Sequence, residues 1–339
     1  MSNWRIFSTR HSKSIFWLSL CALVLAVAAL SLWTGSVALS PVQVLDVLIG
    51  KDTSSTAARI IIYSRLPRTC AALLAGAALA VSGVVIQTVL GNPLASPGVI
   101  GVNSGAGFAV ALCCAVAPIS QQYTPFIALC GALVAALVVT GLSWRTGASR
   151  ITVVLAGVAV SALFGAGIDA VVTLKPEALD GVADFRVGGF SGVTMARLAP
   201  AAGLILVSVA VVLSLAWQMD ILGLGSDTAK SLGLPVGAVR FILLFLAAVL
   251  AGAAVSFCGL IGFVGLIVPN TMRRLLGESS LLLTSASALA GAFFVTVCDV
   301  LARILFSPFE LPVGIVMSLL GGPFFLHLLL RRGRGRVYA

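Results

Sequence analysis

Three arginines and one short polar stretch stand out chemically from an otherwise apolar chain. Arg65 and Arg68 flank Pro67 just before an apolar run, and Arg303 follows another. A guanidinium offers a rigid fork of donors that fits a carboxylate, so this trio suits recognition of acidic groups on another molecule. Anchoring to lipid phosphates would use the same chemistry. The polar stretch is Met219 to Val236, MDILGLGSDTAKSLGLPV. Ser226 reads as an N-cap, with Asp227 near the positive end of a helix dipole and Lys230 towards the other end. Gly233 supplies a left-handed stop, and Pro235 prevents continuation. A helix this short is not stable alone. Its neighbour is either the rest of the chain, as in any capped loop, or a second protein.

Residues for covalent or metal chemistry are sparse. His11 and His327 lie near opposite ends of the sequence, and the seven cysteines are scattered through apolar runs with no CxxC pair. They read as small hydrophobes rather than ligands or a disulfide framework. No paired carboxylates, His–Glu metal motif or activated serine is visible, which argues against an intramembrane enzyme. The phosphate-cradling pattern GxxxxGK[ST] does not occur, so any ATP chemistry must belong to a partner.

The elements that hold these residues are membrane helices. The 339 residues are 60% hydrophobic and 9% charged, against about 25% charged in a soluble domain. The 35 glycines suit close helix packing in a bilayer. Apolar runs predict spans at 15–33, 69–90, 99–116, 125–142, 151–174, 198–217, 281–300 and 311–330. Between Phe241 and Met272 no charge occurs, and Arg240 stands at one end with Arg273 and Arg274 at the other. Basic residues prefer one side of the membrane, so this run predicts a hairpin of two short spans turning near SFCGLIGFVG. The expectation is an all-α polytopic membrane protein of about ten transmembrane helices in a single domain over 1–339, with 219–236 between spans six and seven. Met1 to Lys13 reads as a retained basic lead-in rather than a cleaved signal.

Charge orients the bundle. With the N-terminus inside, the inner segments collect thirteen of the 21 basic residues but only three of the 11 acidic ones, Asp220, Asp227 and Glu278. The net charge of +10 is therefore a topology signal, with both termini cytoplasmic, and not a sign of nucleic-acid binding. An ion-coupled carrier would need ionisable groups near the midplane, and only Asp169 and Asp299 fall inside spans, both near outer ends. LLAGAALAVSG (73–83) is similar to VLAGAAVSFCG (249–259). Spans two and seven would then head inverted halves.

RLPRTCAALLAGAALAVSGVVIQTVLGNPLASPGVIGVNSGAG (65–107) resembles the signature region of the FecCD-type permeases, membrane subunits of ABC importers for iron–siderophores, haem and cobalamin. LGLGSDTAKSLGL (222–234), GLIGFVGLIVPNTMRR (259–274) and DVLARILFSPFELPVGIVMSLLGGPFFLHLLL (299–330) agree in order and spacing. The resemblance implies a type II importer fold. It also implies a second permease subunit (identical or not), two ATP-binding subunits, and a periplasmic or lipid-anchored substrate-binding protein. No cofactor would be bound by this chain, since ATP and Mg are used by the ATPase.

By the same resemblance, Arg65, Arg68 and Arg303 match arginines that receive carboxylates of the binding protein. Asn92 and Leu94 match positions that narrow the cytoplasmic exit, and Ala148 and Ser149 match a second constriction. Asn92 in GNPLASPG is also an ordinary turn residue. Residues Ser226, Asp227, Ala229, Leu232 and Gly233 match the coupling helix that sits on the ATPase. Three positions depart from the family's pattern: Phe185 stands where Trp is usual, Leu260 where Pro is common, and Asn270 where His is usual.

Overall fold

A computed structural model describes residues 10–35, 37, 39–116, 123–145, 150–305 and 309–333. The first helix, α1 (Arg10–Trp33), is followed by α2 (Pro41–Leu48), which Ser40 and Gln43 start with a reciprocal capping box. Ser55 caps α3 (Thr56–Ile60), which runs through a π turn at Ile61–Arg65 into α4 (Leu66–Leu90). The wide turn has a local cause. Pro67 lacks an N–H and its ring crowds the carbonyl four residues back, so the helix opens there rather than breaking. Residues 56–90 thus form one apolar run of 35 residues, longer than the span expected from the sequence.

Gly91, at φ 58°, ends α4 in the left-handed conformation that a glycine adopts without cost. A 3-10 turn at Pro97–Ile100 leads to α5 (Val102–Val116), α6 (Thr124–Arg145) and α7 (Arg150–Leu174). The polar loop that follows contains α8 (Leu179–Val187). Next come α9 (Met195–Ser214), α10 (Ala216–Gly223), α11 (Ser226–Ser231), α12 (Val236–Cys258), α13 (Val264–Leu276), α14 (Ser280–Ile304) and α15 (Val313–Gly333).

Among the described residues, seven helices are long and apolar enough to cross a membrane, and α5 and α15 are shorter apolar ones. The expected pair of short spans between Phe241 and Met272 is corrected. The first, α12, is full length because it starts at Val236, five residues before the uncharged run, and carries Arg240 in its second turn. The second, α13, has 13 residues, about 20 Å at 1.5 Å per residue, and the non-helical residues 259–263 complete the return crossing, so the hairpin itself stands.

Of the spanning helices, α4 and α12 are the most enclosed, each with 78% of its apolar window buried, while α1 (17%) and α7 (22%) are the least. Small residues set the spacing. A Cβ on Gly76 of α4 would lie 2.2 Å from the Gly291 carbonyl oxygen of α14, so the two backbones touch at that crossing. On the other side, Gly252 of α12 faces Ala132 and Leu129 of α6, with a would-be Cβ 3.0 Å from the alanine methyl. Gly76 and Gly252 are the equivalent positions of the two similar segments. Helices α4 and α12 run in opposite directions, as an inverted repeat requires. Their partners α14 and α6 are the ninth and fourth spans of the sequence, again five apart.

Candidate functional site

The polar groups gather at the two ends of the bundle. One end holds the arginines. Asp299, in α14 and 0% exposed, receives Arg68 through Nε (3.1 Å) and Nη2 (3.0 Å) and Arg303 through Nη2. Arg303 also donates from Nη1 to the carbonyls of Ser31 (3.0 Å) and Thr34 (3.1 Å), and from Nη2 to Ser31 Oγ (2.6 Å). Arg65 donates to the carbonyls of Leu32 (2.9 Å), Trp33 (2.6 Å) and Val37. These carbonyls belong largely to the last turn of α1, which has no partners of its own there. Arg65 and Arg303 therefore cap α1 from neighbouring helices and favour its negative dipole end.

This geometry narrows the expectation that all three arginines face a partner. Arg65 and Arg303 are buried, their forks filled by main-chain oxygens and Asp299. Arg68 differs: its Nη1 meets Glu310 Oε2 at 2.6 Å, and the Glu310 side chain is one-third exposed.

Arg68 and Glu310 sit on the wall of a cavity of about 680 Å³, with Asp184, Phe190, Arg197 and Phe257 also lining it. Beside it, three distant segments are knitted through their backbones. Gly189 N–H donates to Cys258 O (2.7 Å), Leu260 N–H to Phe185 O (2.9 Å), and Gly314 N–H to Gly188 O (3.2 Å). A Cβ at Gly314 would lie 1.8 Å from the Val187 oxygen, and one at Gly188 2.4 Å from that of Leu260. Leu260 and Phe185, two of the departures from the family's pattern, meet here through main-chain atoms: any side chain at 185 permits the bond, whereas a proline at 260 would lack the N–H that donates it.

The opposite end holds the polar stretch. It is two helices, α10 and α11, rather than one. The N-cap of α11 is Gly225 (φ 106°), not Ser226, and no side chain caps it. Ser226 is the first helical residue, and its hydroxyl instead accepts from Arg240 Nη2 at 2.6 Å. The stop at Gly233 (φ 81°) is as expected: Gly233 N–H bonds Lys230 O and Leu234 N–H bonds Ala229 O, a Schellman motif. Asp227 lies in the first turn, Ala229 is fully buried, and Leu232 is 59% exposed. Asp220 of α10 accepts the N–H of Ser280, the first residue of α14, at 2.7 Å.

Asn92 closes an Asx turn, its Oδ1 taking the N–H of Leu94 at 3.0 Å. Asn270 of α13 ties that turn in place, donating to Pro93 O and Leu266 O, both at 2.7 Å. Gln87 bridges Gly265 O and Arg273 Nη1, at 2.9 Å each. Ala148 and Ser149 lie outside the described residues. Sequence reasoning missed Asp220, Gln87 and the central place of Asp299. Only Asp299 left a signal, a carboxylate inside an apolar run with an arginine four residues on.

Among the described residues, an all-helical bundle of apolar spans with its charged groups near the two ends is the architecture of a polytopic membrane protein. Residues 23–331 match the FecCD transport family, and the chain belongs to that family. Its members are the membrane permease components of ABC importers, in which separate subunits hydrolyse ATP. The chain is 35% identical over 313 residues to the Fe(3+)-citrate import system permease protein YfmE of Bacillus subtilis (strain 168), covering 92% of this chain and 93% of that one. It is 38% identical over 279 residues to the hemin transport system permease protein HmuU of Yersinia pestis, covering 80% and 83%. It is also similar to a metal-chelate type ABC transporter solved in an inward-facing conformation, with a TM-score of 0.82 and 28% identity over 94% of this chain and 99% of that one.

Proposed function

We propose that this chain is the permease subunit that carries an iron–siderophore complex across the cytoplasmic membrane, with both termini on the cytoplasmic side. The observation that carries the reading is the family match over 23–331, with relatives named for ferric citrate, achromobactin, hydroxamate and enterobactin uptake. The excess of basic residues at the α10–α11 end supports the orientation. A substrate-binding protein docks at the arginine end, where a carboxylate takes the place of Glu310 on Arg68. Two ATPase subunits, which hold the ATP and Mg, receive Ser226, Asp227, Ala229, Leu232 and Gly233. A second permease subunit completes the path, and Asn92, Leu94, Ala148 and Ser149 narrow its cytoplasmic exit.

An ion-coupled carrier is disfavoured by Asp299, whose charge is already matched by two arginines. The experiment is reconstitution of the complete complex in liposomes, with ATP turnover measured against binding protein loaded with ferric siderophore, haem or cobalamin. Stimulation by the ferric siderophore is expected. Stimulation by haem or cobalamin alone reassigns the substrate, and stimulation by none of them overturns the reading.

A further inference from the structure

Helix α14 begins without a cap of its own. Ser279 holds the extended conformation of an N-cap residue (φ −60°, ψ 115°), yet its side chain makes no capping bond. The acceptor comes from another element, because Asp220 Oδ1 takes the N–H of Ser280 at 2.7 Å. A carboxylate there meets an orphan donor and the positive end of the helix dipole together. Asp220 is itself held firmly. Met219 and Leu222, on either side of it in α10, are both 0% exposed, and α11 begins six residues beyond it.

The far end of the same helix carries Asp299 and Arg303. Between the two ends α14 is one helix of 25 residues without a proline, about 37 Å long at 1.5 Å per residue. The Gly76–Gly291 crossing locks it to α4 midway. A single rigid element therefore joins the polar stretch at one end of the molecule to the Arg68–Asp299 pair at the other.

We infer that Asp220 is a positioning residue that latches the coupling segment to α14. A displacement imposed on α11 then moves α14 as a unit and reaches Arg68 through Asp299. The inference rests on the reading of 226–233 as the contact with the ATPase. The other side-chain bond from the segment to a spanning helix, Arg240 to Ser226, runs to α12, which reaches the cavity wall at Phe257 and Cys258 rather than the Arg68–Asp299 pair. Removing the Asp220 bond therefore cuts this route and leaves the other intact.

The test uses the complete transporter in liposomes, reading transport per ATP hydrolysed and the ratio of ATP turnover with and without loaded binding protein. Asp220→Ala removes the acceptor, whereas Asp220→Asn keeps an amide oxygen in its place. Ser280→Pro removes the donor at the first helical position, where proline is tolerated and the preceding residue is already extended. It also serves as the second variant should Asp220→Ala fail to fold.

A charge-assisted bond at this site predicts a loss of about tenfold in both readouts for Asp220→Ala and for Ser280→Pro. The double variant should do no worse than either single one, and Asp220→Asn should retain most of the coupling. Wild-type coupling in Asp220→Ala or Ser280→Pro overturns the latch. So does a loss in Asp220→Asn as large as in Asp220→Ala, or an additive loss in the double variant. A wild-type complex that shows no stimulation overturns the functional reading itself, and the latch with it.

Discussion

At Asp299 two guanidiniums converge on one carboxylate, and Glu310 shares the outer of the two. Removing Asp299 leaves Arg303 buried with main-chain oxygens and a hydroxyl but no counter-charge, and frees Arg68 from its inner anchor. Breaking a buried pair in this way costs about 3–5 kcal/mol. Asp299→Ala should therefore lower the thermal midpoint of the purified protein in detergent sharply. Arg68→Ala should lower it much less, because Asp299 keeps Arg303. The same variant should weaken capture of the binding protein about tenfold, the worth of one charge-assisted bond, in a pull-down at low salt. Unchanged capture removes Arg68 from the docking surface. The sequence marks these arginines by their position against the charge trend. It does not reveal that two of them face inward, because their acceptors are the terminal carbonyls of α1, a feature of folded geometry and not of residue type.

Helix boundaries were legible where chemistry punctuates the chain and misleading where charge was used as the punctuation. Gly91 and Gly233 stop helices in the left-handed conformation that glycine favours. Arg240 stands at the edge of the uncharged run, but an arginine costs little inside a helix when a hydroxyl such as Ser226 meets it, and α12 runs past it. Contact between elements depends on residues that no periodicity exposes. Gly291 of α14 looks like any other small residue, yet a Cβ there would lie 2.3 Å from the Gly76 carbonyl oxygen and 2.6 Å from the Ala80 methyl. Gly291→Val should force α4 and α14 apart and cost at least about 1–3 kcal/mol. Gly203 in α9 has nothing within 4 Å of its would-be Cβ, so Gly203→Ala should stabilise by about 0.4–1 kcal/mol. Denaturation midpoints of the two variants, read side by side, check the contrast.

On the scale of the whole molecule, the weak likeness between 73–83 and 249–259 proves to be architectural. Its two glycines occupy matching crossings in an arrangement whose halves run in opposite directions. The two halves are unequal in their third and eighth members, since α5 is an apolar helix and α13 a short one with arginines in its last turn. A protein of this plan carries no nucleotide site among its motifs, and of its two carboxylates within spans Asp299 is paired with arginines while Asp169 is exposed on α7. Vesicles containing the chain without ATPase subunits should therefore show no concentrative uptake under a proton or sodium gradient. Accumulation there would return the molecule to the class of ion-coupled carriers.

The backbone knot of 185–189, 258–260 and 312–314 also has a chronology. Its segments come from the middle, just past three-quarters and the last tenth or so of the sequence, so it cannot close until residue 314 has been synthesised. During biogenesis the Gly76–Gly291 crossing has its residues available earlier, whereas the core contacts of Met317 and Gly321 in α15 come later still. Closure of the knot thus waits for the start of α15, and a ribosome that stalls before that helix leaves the cavity wall open at that seam.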